Sequence, residues 1–247
     1  MPDSALPDPV LLQPGSLAGT RAVVTGAAGG IGAAVTALLR AHGASVDAWD
    51  LVHDNGIRSV DVTDRQAVGD AWKAATQAGP VDIVVSAAGV MADDWDTCMA
   101  VNAGGVRNLL DVSLDDLTAR RSGSVVVVSS NAGATPRSGL AAYAASKAAA
   151  TSYARSLGLR VAPYGVRVNI VSPGSTDTPM LRGMWTDDAD RDRVLAGDPD
   201  AYRLGIPLGR IASPEDVAST VVFLASNAAR HITMHDLRVD GGATLDM

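Results

Sequence analysis

Short runs of β-branched and small apolar residues recur along this chain, separated by longer segments in which Ala, Leu and charged residues fall at helical spacing. The runs are Arg21–Thr25, Ala44–Trp49, Val81–Ser86, Ser124–Ser129, Val166–Val171 and Leu237–Val239. Most are apolar at consecutive positions, so both faces of such a strand need covering, which is the condition of parallel strands between helical layers. Between them Ile31–His42, Arg65–Gln77, Asp96–Leu117, Ala142–Ala162 and Pro214–Ala225 read as crossover helices. Over 247 residues this alternation predicts one α/β domain, a doubly wound parallel sheet with helices on both faces.

Two segments fall outside the alternation. Residues 1–18, with four prolines, read as a flexible tail, leaving 19–247 as the single domain. Thr176–Gly209 mixes Met, Trp, Asp, Arg and Gly between two regular elements and reads as a lid over a substrate site. The helix after it has a legible start: Ser213 as cap, Pro214 in the first turn and Asp216 at capping-box spacing.

An apolar fraction of 47% excludes a chain disordered throughout, and a formal charge of −7 argues against a nucleic-acid or anionic-membrane surface. The amino terminus has no basic stretch followed by an apolar one, and no run reaches the roughly 18 apolar residues of a membrane span. Cys98 is the only cysteine, so no internal disulfide can form, no CxxC metal site exists and no metal is expected; a cytoplasmic location fits best.

The turn Thr25-Gly26-Ala27-Ala28-Gly29-Gly30-Ile31-Gly32 follows the first strand and opens the first helix. There glycines let the backbone approach a pyrophosphate, and the helix amino terminus faces the anion. Asp50 closes the second strand, where a carboxylate accepts hydrogen bonds from adenosine ribose hydroxyls and repels a 2′-phosphate. Neither Gly29 nor Leu51 supplies a cation, so NAD is expected rather than NADP.

Tyr143 and Lys147 are four residues apart, which on a helix puts both on one face. A tyrosine holds its proton to about pH 10, so a phenolic base near neutrality needs a neighbouring ammonium, which Lys147 supplies. Ser130, thirteen positions before Tyr143, stands at a strand end where it can bond a substrate oxygen, and Asn102 is a candidate fourth member.

With these motifs in order, joined by Asp61-Val62, Ala88-Gly89, Ser172-Pro173-Gly174 and Val239-Asp240-Gly241-Gly242, the chain resembles the short-chain dehydrogenase/reductase family. The resemblance implies a Rossmann-type domain, with Tyr143 as general acid/base and Lys147 lowering its pKa and holding the nicotinamide ribose. It further implies that Ser130 orients the substrate oxygen and that Asn102 anchors a relay water. Gly26, Gly30, Ile31, Gly32, Asp50 and Leu51 are then cofactor residues, Asp61 and Val62 bracket the adenine, and Ala88 and Gly89 line the same groove. Pro173, Gly174, Thr176 and Thr178 fall to the nicotinamide side. A homotetramer is expected on the same ground.

The carboxy-terminal half is similar to the 2,3-dihydro-2,3-dihydroxybenzoate dehydrogenase subgroup, through Thr135-Pro136-Arg137, Ser172 to Thr178, Leu204 to Gly209 and His231-Ile232-Thr233. This implies NAD-dependent oxidation of the 3-hydroxyl of a dihydro-aromatic acid to an aromatic product. Arg137 and Arg182 are the candidate partners for the substrate carboxylate. Two departures stand out. Ser86-Ala87-Ala88-Gly89 replaces the family's Asn-Asn-Ala-Gly turn, and Val90–Val101, one wall of the cleft, is short. Trans-2,3-dihydro-3-hydroxyanthranilate, with an amine at C2, stays open as the substrate, as does a ketone or 3-oxoacyl reductase.

Overall fold

The computed structural model describes residues 15–52, 56–187 and 189–245. Its strands are β1 (Arg21–Thr25), β2 (Ser45–Asp50), β3 (Ile57–Ser59), β4 (Ile83–Ser86), β5 (Gly123–Val128), β6 (Val166–Pro173), β7 (Gly197–Asp198), β8 (Arg203–Leu204) and β9 (Asp236–Val239). The helices are α1 (Gly30–Ala41), α2 (Arg65–Gln77), α3 (Trp95–Cys98), α4 (Gly105–Arg120), α5 (Ala141–Val161), α6 (Pro179–Arg182), α7 (Ala189–Ala196) and α8 (Pro214–Ala225). Seven strands pair in the order β3-β2-β1-β4-β5-β6-β9, every pairing parallel. This is the doubly wound Rossmann-type sheet that the sequence predicts, with β3 as an edge strand that the apolar pattern does not announce.

The period of two along the central strands divides the core between two layers. Val84, Val125 and Val127 pack with Leu109, Leu110 and Leu157 against α4 and α5, while Ile83, Val85 and Val126 pack with Val35, Leu39 and Val221 against α1 and α8. Both layers exclude water, so the register of each central strand is fixed from two sides. Chain order reverses between β1 and β4, and the crevice outside the carboxyl ends of those strands is where such sheets bind ligands.

The expected helix Asp96–Leu117 is interrupted: α3 passes through a π-turn, Met99–Gly104, before α4 begins. The capping box forms as expected, with Asp216 N donating to Ser213 Oγ at 3.2 Å and Ser213 N to Asp216 Oδ2 at 2.8 Å. Of the expected tail, 1–14 lies outside the described residues; within 15–18, Leu17 is 3% exposed and its amide donates to the His42 carbonyl at 3.0 Å. Among the described residues no helix is long and apolar enough to cross a membrane.

Candidate active site

Two neighbouring cavities open at the carboxyl ends of the strands. One is a groove of about 490 Å³ running over the glycine turn, bordered by Gly26, Gly30, Ile31 and Gly32, then by Asp50 and Leu51, and beyond them by Asp61, Val62, Ala88 and Gly89. The other, about 140 Å³, is bordered by Ser130 and Tyr143, by Pro173, Gly174, Thr176 and Thr178, and by Arg137 and Arg203. Ile31, Thr178 and Met180 border both, so the two cavities meet there.

The glycine turn itself is closely packed. A Cβ on Gly26 would stand 2.5 Å from the Ala88 amide nitrogen, one on Gly30 would stand 2.7 Å from Thr178 Cγ2, and one on Gly32 would overlap the Gly26 carbonyl. Gly29, the N-cap of α1, offers no side chain to the first-turn amides, unlike Asp64 on α2 or Ser213 on α8. Those amides are left for an anion. At the groove's far end Asp50 is held rigid, Oδ2 accepting from Ala28 N at 2.9 Å and Oδ1 from Leu51 N at 2.7 Å. No Lys or Arg borders the groove among the described residues. These features fit a dinucleotide.

The altered turn after β4 is carried by Thr25, whose carbonyl accepts from Ala87 N at 3.2 Å and whose hydroxyl accepts from Ala88 N at 3.4 Å. The Val62 border of the groove is held from α4, where Asn108 Nδ2 donates to the Val62 carbonyl at 2.9 Å.

Tyr143 and Lys147 lie on the buried face of α5, as their spacing predicts. The end of β5 is fastened to that helix: Ser129 Oγ donates to the Lys147 carbonyl at 3.2 Å and lies 2.7 Å from Thr151 Oγ1. This sets Ser130 on the same cavity border as Tyr143, near enough to act on its phenol. Burial pushes the Tyr143 phenol above its ordinary range, the Ser130 hydroxyl works the other way, and the nearby Cys98 adds to the rise. Burial also brings Lys147 down to about 8, against a smaller opposing effect of Cys98. Lys147 Nζ donates to the Val128 carbonyl at 3.1 Å and stands 5.8 Å from the centre of the Tyr143 ring. The two are neighbours, but in the chain alone burial outweighs any help from the ammonium to the phenolate.

Asn102 sits in the π-turn, fully buried. Its Oδ1 accepts from Val90 N at 2.9 Å, and its Nδ2 donates to the Val90 carbonyl and to Ser146 Oγ, each at 2.9 Å. Both amide hydrogens are occupied, so this side chain fixes the short wall. A Cβ on Gly89 would stand 3.1 Å from Asn102 Oδ1 and 3.1 Å from Lys147 Nζ, which shows how closely the turn after β4 lies against both.

Arg137 borders the smaller cavity, but Arg182 does not: its guanidinium lies outside and pairs with Asp177 at 2.6 and 2.8 Å. The second cation in the cavity is Arg203 on β8, which the sequence reading missed because a lone arginine in an irregular segment carries no positional signal. Met91, Leu140, Met180, Leu181 and Met184 complete an apolar lining that was not foreseen either.

The family model described as enoyl-(acyl carrier protein) reductase matches residues 26–244. The chain belongs to the short-chain dehydrogenase/reductase family. It is therefore an oxidoreductase. The Bacillus subtilis (strain 168) 2,3-dihydro-2,3-dihydroxybenzoate dehydrogenase is 40% identical over 252 residues, covering 92% of this chain and 97% of that protein. The Escherichia coli (strain K12) enzyme of the same name is 40% identical over 237 residues, covering 90% and 96%. Among solved structures, levodione reductase superposes with a TM-score of 0.85 at 22% identity, covering 94% of this chain and all of that one, a likeness of fold alone.

Proposed function

We propose that this short-chain dehydrogenase oxidises the 3-hydroxyl of 2,3-dihydro-2,3-dihydroxybenzoate with NAD, yielding the aromatic dihydroxy acid. One observation carries the reading: an apolar cavity of about 140 Å³ with the Tyr143–Ser130 pair on its border, two arginines on the same border and the glycine groove adjoining it. A cavity of about 150 Å³ holds one benzene ring. The cavity has room for a six-membered ring, with two arginines on its border to meet a carboxylate. The relatives of that name, alike over nine-tenths of the chain, support the same substrate.

Bound in the groove, NAD would supply the hydride acceptor. Tyr143 Oη takes the proton of the 3-hydroxyl while Ser130 Oγ holds the same oxygen. Lys147 holds the nicotinamide ribose and, with that charge nearby, favours the phenolate over the value that burial alone imposes. Asp50 binds the adenosine ribose hydroxyls, and Arg137 takes the carboxylate. The 3-oxo ring then tautomerises, C2 losing its proton and the 3-oxygen gaining one as the ring becomes aromatic.

Between the two dihydro acids, the cavity favours a hydroxyl at C2. No Asp or Glu borders it among the described residues, so an ammonium there would face two guanidiniums with nothing to offset them. Asp50 and the lack of a bordering cation speak against an NADPH-dependent 3-oxoacyl reductase. A cytoplasmic homotetramer completes the proposal, and the exposed Leu204, Leu208 and Leu245 offer apolar surface for such contacts.

The test is reduction of NAD, followed at its absorbance, with each dihydro acid, beside oxidation of NADPH with a 3-oxoacyl thioester. The highest kcat/KM is expected for 2,3-dihydro-2,3-dihydroxybenzoate with NAD. No turnover of it would overturn the reading.

A further inference from the structure

We infer that Arg203 is a second carboxylate-binding residue of the substrate cavity, delivered by the segment between β6 and α8, so that one carboxylate bridges Arg137 and Arg203 and holds that segment over the ring. The inference rests on the proposed function for its ligand class, an aromatic or dihydro-aromatic acid.

Arg137 comes from the loop between β5 and α5, and Arg203 from β8, which pairs antiparallel with β7. Both border the same small cavity. Arg203 Nη2 donates to Ser175 Oγ at 2.9 Å, anchoring the guanidinium beside the Pro173-Gly174 turn. Neither arginine has an acidic partner within 4.0 Å among the described residues. Their neighbours in and beside this segment do: Arg182 pairs with Asp177, Arg193 with Asp187 and Asp190, and Arg210 with Asp216. The acid whose charge acts on Arg137, Asp240, is bound by Thr244, Asn131 and the Gly242 amide.

Burial, and after it the charge of Arg203, depresses the protonation of Arg137; burial does the same to Arg203, with Asp198 opposing. Two partly buried cations, one of them depressed by the charge of the other, are both relieved by one planar anion, and guanidiniums match a carboxylate by paired hydrogen bonds. Among the described residues the remaining border is uncharged, so the pair sets which end of the ring points away from Tyr143. An uncharged ring would gain no such orientation.

The experiment uses the full chain with saturating NAD and measures binding of salicylate and of catechol, which lacks the carboxylate, by calorimetry. Salicylate is expected to bind the parent protein more tightly than catechol. Arg203→Met is expected to weaken salicylate by about 10- to 100-fold while leaving catechol and NAD unchanged. Arg203→Lys is expected to recover part of the loss. Salicylate should also slow proteolysis within 176–209 in the parent and not in Arg203→Met. Equal salicylate affinity in parent and Arg203→Met, or a parallel loss for catechol, would overturn the inference. Turnover is not read, so failure of the dihydro acid as a substrate would strike the proposed function and leave this result separate.

Discussion

Asn102 holds both polar groups of the Val90 peptide backbone, accepting from its N–H and donating to its C=O at 2.9 Å each. The short wall of the cleft starts from that clamp, and Cys98 adds a second tie through its thiol to the Ala92 carbonyl at 3.2 Å. Asn102→Ala would leave the Val90 groups and the Ser146 hydroxyl with lost partners in the interior. The expected cost is about 2–4 kcal/mol in urea unfolding, with a matching fall in kcat/KM as Met91 moves. A change under about 0.5 kcal/mol would mean that the clamp does not organise the wall.

Tyr143→Phe removes the proton acceptor and little volume. A fall in kcat of about 10²- to 10⁴-fold is expected, with NAD affinity by calorimetry unchanged. Retained turnover would move the base elsewhere.

These two predictions differ in how far sequence could reach. The Tyr143–Lys147 pair was legible because four residues span one helical turn whatever surrounds them, and the glycine turn because it joins a strand to a helix. The π-turn at Asn102 was not, since one extra backbone residue in a turn leaves no apolar signature. Edge strand β3, half exposed, lacks the two-sided apolar run of the central strands. Arg182 and Arg203 show the same limit for side chains: which arginine enters the cavity depends on Asp177 capturing one of them, a fact of three dimensions.

Lys147 loses stability to gain function. Its folded value of about 8 lies below the 10.5 of an unperturbed lysine, so between those pH values the unfolded chain binds more protons and stability rises with pH. Below pH 8 the folded state bears the full cost of the buried charge, on the order of 3 kcal/mol. Lys147→Met is therefore expected to be inactive yet at least as stable as the parent at pH 7, offset by the lost bond to Val128. From pH 7 to pH 10 the parent should gain about 2–3 kcal/mol relative to the variant in paired urea titrations. A constant difference would contradict the assignment.

Asp50→Asn keeps an acceptor for one of the two amides but removes the charge facing the ribose. NAD affinity should fall about 10-fold, and the preference for NAD over NADP in kcat/KM should narrow by at least as much. An unchanged ratio would show that Asp50 does not select the cofactor.

The proposed reaction is hydride transfer from C3 of the dihydro acid with proton removal at Tyr143. Turnover of 2,3-dihydro-2,3-dihydroxybenzoate deuterated at C3, followed by mass analysis of the nicotinamide, tests it most directly. One deuterium is expected in the reduced cofactor and none in the aromatic product; deuterium released to solvent, with unlabelled NADH, would rule out direct hydride transfer from C3.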